Sequence, residues 1–367
     1  KIMWARIKKA ASIAAMTITV AAILAMWASA YSAHIPPQGS GWYDVLGMAF
    51  PVFAAASAAS LVLWLAFKPR LALVPFFGLL FCISDLRTYC PVNIPQSPPA
   101  GSLKVMSYNA QNFDGTANED SEEKKQIISN IINSNADIVC IQEGDYWTDW
   151  DKLEKKLHNI YRYMDVLGKD SAPTTMRCFS KLRIIKAEQL PFPGSFNSTV
   201  AFYLQHNGGD TIIVVSNHLQ SDNLTPEELD NYSALVKGKK EAGRKSPGTA
   251  LLSLLRKVAD AAEKRGSQVD SVAAFVNAHK NTPLILCGDF NDTPISYSRR
   301  EIARHLTDAY AATGLGPGFT YTSNGMHVRI DHMMCSRHWK PYAAKVHSHA
   351  KGSDHYPITA FFKLKAK

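Results

Sequence analysis

The chain has 367 residues, 46% of them apolar, with 40 Lys/Arg against 31 Asp/Glu and six cysteines. That length admits a membrane segment with one large domain, or two domains, and six cysteines in so long a chain exclude a small disulfide-framed fold. Residues 1–100 carry seven Lys/Arg and two Asp/Glu, so over half of the net +9 lies beside apolar stretches and does not by itself argue for a nucleic-acid partner.

Residues 10–33 hold 24 consecutive uncharged positions and residues 45–67 another 23. Both exceed the roughly 20 needed to cross a bilayer core. Each is therefore expected to be a transmembrane helix. A shorter apolar run from Leu71, reaching residue 87 with its flanks, is expected as a third span, and a cleaved signal peptide fits poorly because a second long run follows the first. Lys1, Arg6, Lys8 and Lys9 precede the first run, and Lys68 and Arg70 follow the second. The positive-inside rule puts both clusters in the cytoplasm. With three spans the rest of the chain is extracytoplasmic; with two it is cytoplasmic. Residues 90–102 (CPVNIPQSPPAGS) contain four prolines and read as a semi-extended tether.

From residue 103 to 367 the pattern alternates strand-like and helical runs, which implies one α/β domain. LKVMSYN, ADIVCIQE, VAFYL, TIIVVSNHL, PLILCGDF, RIDHMMC and YPITAFF are the predicted strands. Residues 119–135, 226–237 and about 249–279 are the predicted helices, the last with a broken stripe of Leu251, Leu255, Val258, Val269, Val272 and Val276. Cys140 and Cys287 fall inside strands, where a free buried thiol is usual.

Polar residues recur where the apolar runs end. Asn109 closes the first strand, Glu143 the second and His218 a later one; Asp289 and Asn291 close LILCGDFN; Asp331 sits in RIDHMM, and Asp354 and His355 stand in SDHYP. In α/β proteins such ends meet at one rim of the sheet. Carboxylates and amides there would offer oxygen to a hard cation, and two histidines could move protons near neutral pH. No GxxxxGK loop, CxxC pair or HExxH accompanies them. A cation with carboxylates and histidines suits phosphate-ester hydrolysis.

The ordered set YN, QE, HL, GDFND, RIDH and SDHYP, over about residues 103–363, resembles the endonuclease/exonuclease/phosphatase superfamily. The resemblance implies a four-layer sandwich of two mixed sheets flanked by helices, and Mg2+-dependent hydrolysis of phosphate esters, with Mn2+ as an alternative ion. It implies Glu143 as the principal metal ligand, with Asn109 and Asp354 near the same cation. It implies Asp289 and Asn291 as the pair that positions the attacking water and binds a phosphate oxygen or a second metal, His355 as the catalytic histidine oriented by Asp331, and His218 as a phosphate contact or general acid. Two departures stand out: Gln111 replaces an acidic residue found two positions after the first Asn in one branch, and TTMRCFSKLRII lacks the glycine of the family's corresponding strand.

The expected activity is a membrane-anchored phosphodiesterase, foremost a nuclease acting on nucleic acid. A lipid or inositol phosphate hydrolase at the membrane surface, and a non-catalytic polyanion-binding surface protein, are the alternatives. The basic run KGKKEAGRK (237–245), continued by Arg256, Lys257, Lys264 and Arg265, reads as a solvated loop and helix face.

Overall fold

A computed structural model describes residues 2–115, 121–144, 150–167, 176–195, 197–206, 209–236, 247–323 and 325–366. Helix α1 (Ile2–Ser32) is followed by a short α2 (Trp42–Met48), then α3 (Phe50–Phe67), α4 (Leu73–Phe81) and α5 (Ile83–Tyr89). Two of these, α1 and α3, are long and apolar enough to cross a membrane; the segments Pro69–Phe81 and Ile83–Tyr89, bent by 65°, make a third crossing if the pair is counted as one. The run predicted over 45–67 is broken, because residues 45–48 belong to α2 and only Phe50–Phe67 forms the long helix. The helices pack antiparallel in succession. Trp64 Nε1 donates to Thr19 Oγ1 at 2.9 Å and Lys68 Nζ to Ser12 Oγ at 2.8 Å, while Trp27 Nε1 donates to the Gly78 carbonyl at 2.9 Å. Both basic clusters therefore lie at one end of the bundle, and residues 33–49 and 82–93 at the other.

The second part is a sandwich. One sheet runs β11-β12-β1-β2-β4-β3 and the other β5-β6-β7-β8-β10-β9. The strands are β1 (Leu103–Asn109), β2 (Ile138–Gln142), β3 (Tyr163–Leu167), β4 (Met176–Ser180), β5 (Ile184–Leu190), β6 (Ser198–Gln205), β7 (Thr211–His218), β8 (Leu284–Asp289), β9 (Leu306–Asp308), β10 (Asp331–Ser336), β11 (Trp339–Val346) and β12 (Ile358–Leu364). Each sheet contains one parallel pair, β1/β2 and β7/β8, among antiparallel neighbours, so both are mixed as expected. Alternate side chains of the strands meet between the sheets: Val105, Ile138, Cys140, Phe202, Val214, Ile285, Cys287 and Ile358 are fully buried there. Their other faces are covered by helices. Ile127 and Ile131 of α6 (Glu122–Ser134) and Leu153 and Leu157 of α7 (Trp150–Leu157) cover the first sheet. Val269, Val272 and Val276 of α9 (Pro247–Ala278) cover the second. All six cysteines are free, and Cys140 and Cys287 are buried, as expected.

The two parts are locked together. Gly41 approaches α9 so closely that a Cβ would stand 1.8 Å from the Ala259 carbonyl oxygen, and one on Gly47 would stand 2.4 Å from the Ile295 oxygen. Gln38 Nε2 donates to Asp270 at 2.8 Å, and Arg329 reaches the Thr88 carbonyl with one guanidinium nitrogen. Nor is the start of the proline-rich tether free: Val92 bridges Leu315, and Asn93 donates to the Ala311 and Gly314 carbonyls.

Gly41→Ala is expected to cost about 1–3 kcal/mol, the usual range for overpacking a tight contact, read as a lower melting temperature of the full chain in detergent. Gly248→Ala, which meets open space, should leave the melting temperature unchanged or raise it.

Candidate active site

Strand register assembles the site. In the parallel pair β1/β2, Asn109 lies beside Gln142, so Glu143 emerges one residue further along. In β7/β8, His218 lies beside Asp289, and in the antiparallel pair β8/β10 Asp289 lies beside Asp331. The predicted residues thus leave both sheets at the same end. Glu143 and Asn291 both adopt left-handed backbone conformations, with φ of 52° and 50°. Non-glycine residues rarely adopt this region, and it concentrates at functional turns.

The amide of Asn109 joins the two sheets: its Nδ2 donates to Glu143 Oε1 and to Asp289 Oδ2, each at 3.0 Å. Asn109 thereby presents nitrogen, not oxygen, to the acidic centre, while its Oδ1 accepts from the Gln111 backbone. It holds two carboxylates together. Asn291 pins Asp289 through its backbone N–H, 2.7 Å from Oδ1, and anchors its own amide on the Leu219 carbonyl at 3.0 Å. His355 Nδ1 lies 2.8 Å from Asp331 Oδ2, and its Nε2 lies 3.8 Å from Asp289 Oδ2. Asp331 therefore pairs with His355, not with its sequence neighbour Arg329, which is occupied by the Pro317 and Thr88 carbonyls. Tyr321 packs edge-on against the His355 ring at 5.0 Å.

His218 Nε2 stands 3.4 Å from Glu143 Oε1 and 3.9 Å from Asp289 Oδ2, yet neither ring nitrogen of this buried histidine has a hydrogen bond. Asp354 lines the same cleft, its backbone N–H held by Gln111 Oε1 at 3.2 Å. The neutral Gln111 therefore orients the Asp354 loop where an acid would have added charge. Glu143, His218 and Asp289 form one cluster with ligand atoms within 4.8 Å of one another, and Asp289, Asp331 and His355 form a second. Carboxylate oxygens on Glu143, Asp289 and Asp354, with an unpartnered buried imidazole beside them, fit a hard divalent cation and a phosphate oxygen.

Crowding shifts the protonation of the site. Burial, reinforced by Asp331, pushes Asp289 up to about 6. Burial alone would lower His355, but Asp331 and Asp289 outweigh it and push the imidazole up to about 10. Asp354 is raised by burial, with Glu143 adding to it.

Several residues of this region were not singled out in the sequence. Arg265, expected on a solvated face, is 1% exposed behind the cleft. It donates to the Gln220 carbonyl at 2.8 Å and Asp222 at 3.0 Å, and lies 3.5 Å from Asp292. One guanidinium thus ties the loop after β7 to the loop after β8. Asp44 of α2 is also buried here, its carboxyl held well above the usual range by burial and then by Asp292. A signal existed: Val258, Ala262, Arg265, Val269, Val272 and Val276 follow helical spacing, placing Arg265 on the buried stripe of α9. Arg256 and Lys264 are exposed as expected, and residues 237–245 lie outside the described residues. Arg177 of β4, in the strand that lacks the family glycine, is buried against Gly144, whose Cβ would stand 3.1 Å from it.

The profile described as "Endonuclease/Exonuclease/phosphatase family" matches residues 106–355. The chain belongs to the endonuclease/exonuclease/phosphatase family. A second profile, of a domain of unknown function, matches residues 12–89. No curated protein matches. Solved structures share the fold: an endonuclease/exonuclease/phosphatase from Beutenbergia cavernae is 17% identical, covering 72% of either chain with a TM-score of 0.51. A humanized TDP2 from D. rerio is 15% identical, covering 72% of this chain and 99% of that one with a TM-score of 0.50. The human Nocturnin catalytic domain is 18% identical, covering 75% and 97% with a TM-score of 0.49. The protein is accordingly a phosphoester hydrolase of a metal-dependent family.

Two outcomes follow for the metal-free protein. Arg265→Met leaves Asp222, Asp292 and Asp44 buried without their cation, and should cost about 3–5 kcal/mol, measured by thermal melting. His355 titrates above its ordinary 6.5, so its pairing stabilises the fold fully below that pH. That contribution is lost as pH rises through about 10. Asp289 has its midpoint at about 6, below this window. Stability should therefore fall between pH 7 and 10, and His355→Gln should flatten that part of the curve.

Proposed function

We propose that the protein is a membrane-anchored, Mg2+-dependent phosphodiesterase whose catalytic domain stands outside the cytoplasm. The observation that carries the reaction is the convergence of Asn109, Glu143, His218, Asp289, Asp331 and His355, drawn from both sheets, within hydrogen-bond or ion-pair reach of one another. A chain that merely bound polyanions would have no need of four carboxylates at that point.

Glu143 and Asp354 would hold the ion with Asp289 close by, and Asn109 would keep the first and last of these carboxylate loops in register. When bound, Mg2+ offsets negative charge on the phosphoryl oxygens. Asp289, with its raised pKa and its backbone clamp from Asn291, is suited to orient water and accept its proton. His355, held cationic by Asp331, donates from Nε2 to a phosphoryl oxygen and stabilises the charge that grows there. His218, with no partner of its own, supplies a second donor to the phosphate or a proton to the leaving oxygen. A nucleic-acid phosphodiester, which the family resemblance brings first, and a lipid or inositol phosphate present the same group to these residues.

Orientation is supported by the bundle. Lys68 lies beside Ser12, near Arg6, Lys8 and Lys9, at the end away from the catalytic domain, and basic ends face the cytoplasm. Three crossings then put residues 90–367 outside.

Glu143→Ala and His355→Ala should each lower hydrolysis of bis(p-nitrophenyl) phosphate by about 10²–10⁴, and EDTA should abolish it until Mg2+ is restored; full activity in both variants removes this site. A C-terminal alkaline phosphatase fusion should be active and a green fluorescent protein fusion dark; the reverse pattern means that only two segments cross.

A further inference from the structure

The depth of the cleft relative to a bilayer is set by α3. Its 18 residues rise about 27 Å, which barely spans a hydrocarbon core of about 30 Å, so Phe50 and Phe67 must lie at its two boundaries. Met48 stands two residues before Phe50, and its side chain lines the catalytic cleft with Glu143, Asp289, Asp354 and His355. A bilayer crossed by α3 would therefore meet the cleft mouth at the level of its headgroups.

The surface around it agrees. Nine large apolar side chains are exposed outside α1, α3, α4 and α5 among the described residues; five of them, Trp42, Tyr43, Met48, Val92 and Ile94, lie in α2 or just after α5, and a sixth, Leu315, bridges Val92 from the sandwich. Aromatic side chains concentrate at this depth because one end is apolar and the other wet. Inside the cleft, of about 330 Å³, Met48, Leu224, Leu229, Met326, Val328 and Ile330 form an apolar wall beside the polar centre. Among the described residues Arg265 is the one Lys or Arg that lines it, and Asp222 and Asp292 already occupy that cation. A phosphate-ester lipid would bring one phosphate group to the polar centre and an apolar body to that wall.

Resting on the hydrolase reading above, we propose that the substrate is a phosphate-ester lipid seated in the extracytoplasmic leaflet, whose headgroup phosphate enters past Met48 while its apolar part stays against the Met48–Ile330 wall and the bilayer. In the reaction the oxygen of water bonds to phosphorus, the ester P–O bond breaks, and the leaving alcohol oxygen takes up the proton that the water gave up.

The full chain, reconstituted with Mg2+ in phosphatidylcholine vesicles, is assayed on bis(p-nitrophenyl) phosphate, on a single-stranded oligodeoxynucleotide, and on vesicles doped with phosphatidylglycerol, phosphatidylinositol or sphingomyelin. The expected result is that at least one vesicle lipid is hydrolysed, or competes with the soluble ester, in proportion to its mole fraction in the bilayer. Met48→Glu should lower lipid turnover relative to soluble-ester turnover by about tenfold or more, and Met48→Leu should restore the ratio. Cleavage of the oligonucleotide, with neither turnover of nor competition from any vesicle lipid, overturns the substrate assignment. Failure to hydrolyse even the soluble ester would instead strike the hydrolase reading. A readout independent of substrate is depth: bimane attached at Met48→Cys in a Cys90→Ser background, Cys90 being the one exposed cysteine, should be quenched more by headgroup spin-labelled lipid than by aqueous iodide. The opposite order overturns the proposal.

Discussion

Asp289 is the constraint around which the rest is arranged. It is buried to 1% exposure with Glu143, Asp331 and Asp354 nearby, and carboxylates cannot crowd in a low dielectric without compensation. The compensation is specific. Asn109 donates one amide nitrogen to two of the acids, the Asn291 backbone donates to a third oxygen, and His355 stands between Asp289 and Asp331 as a cation. What remains uncompensated is negative potential of the kind a divalent ion relieves.

Behind this layer lies a second. Arg265 neutralises Asp222 and Asp292, each a few residues beyond a catalytic strand end, and Asp44 reaches the same pocket from the connection between the apolar helices. The loops bearing His218 and Asp289 are thus fixed by one buried cation from α9. Because residues 33–49 close against that same helix through Gly41, the part that carries the apolar helices is a structural wall of the catalytic part. It does not act as a detachable leash.

Much of this was legible in the sequence because it is local. An apolar run of five to eight residues ending in a polar side chain announces a strand and its rim, and the seven strands predicted that way, LKVMSYN through YPITAFF, all occur. Five strands were overlooked, β3, β4, β5, β9 and β11, and in two the pattern is diluted: β5 lies at a sheet edge with most of its side chains exposed, and β11, also at an edge, contains Pro341, which an edge strand tolerates since one row of its N–H groups needs no partner. The third apolar stretch was visible as composition, but its bend between α4 and α5 was not.

The sequence by itself determined the family, the α/β sandwich, the apolar helices and the strand-end residues, since period and order are properties of neighbours along the chain. Only the tertiary structure decided that Arg329 turns to the Pro317 and Thr88 carbonyls, that Asn109 offers nitrogen to the acids, that Arg265 is buried, and that Met48 lines the cleft. Each of those depends on a partner brought close by folding, 180 positions away in the case of Asn109 and Asp289. No local pattern records such a distance, because the burial that makes the contact strong is created by the packed layers themselves.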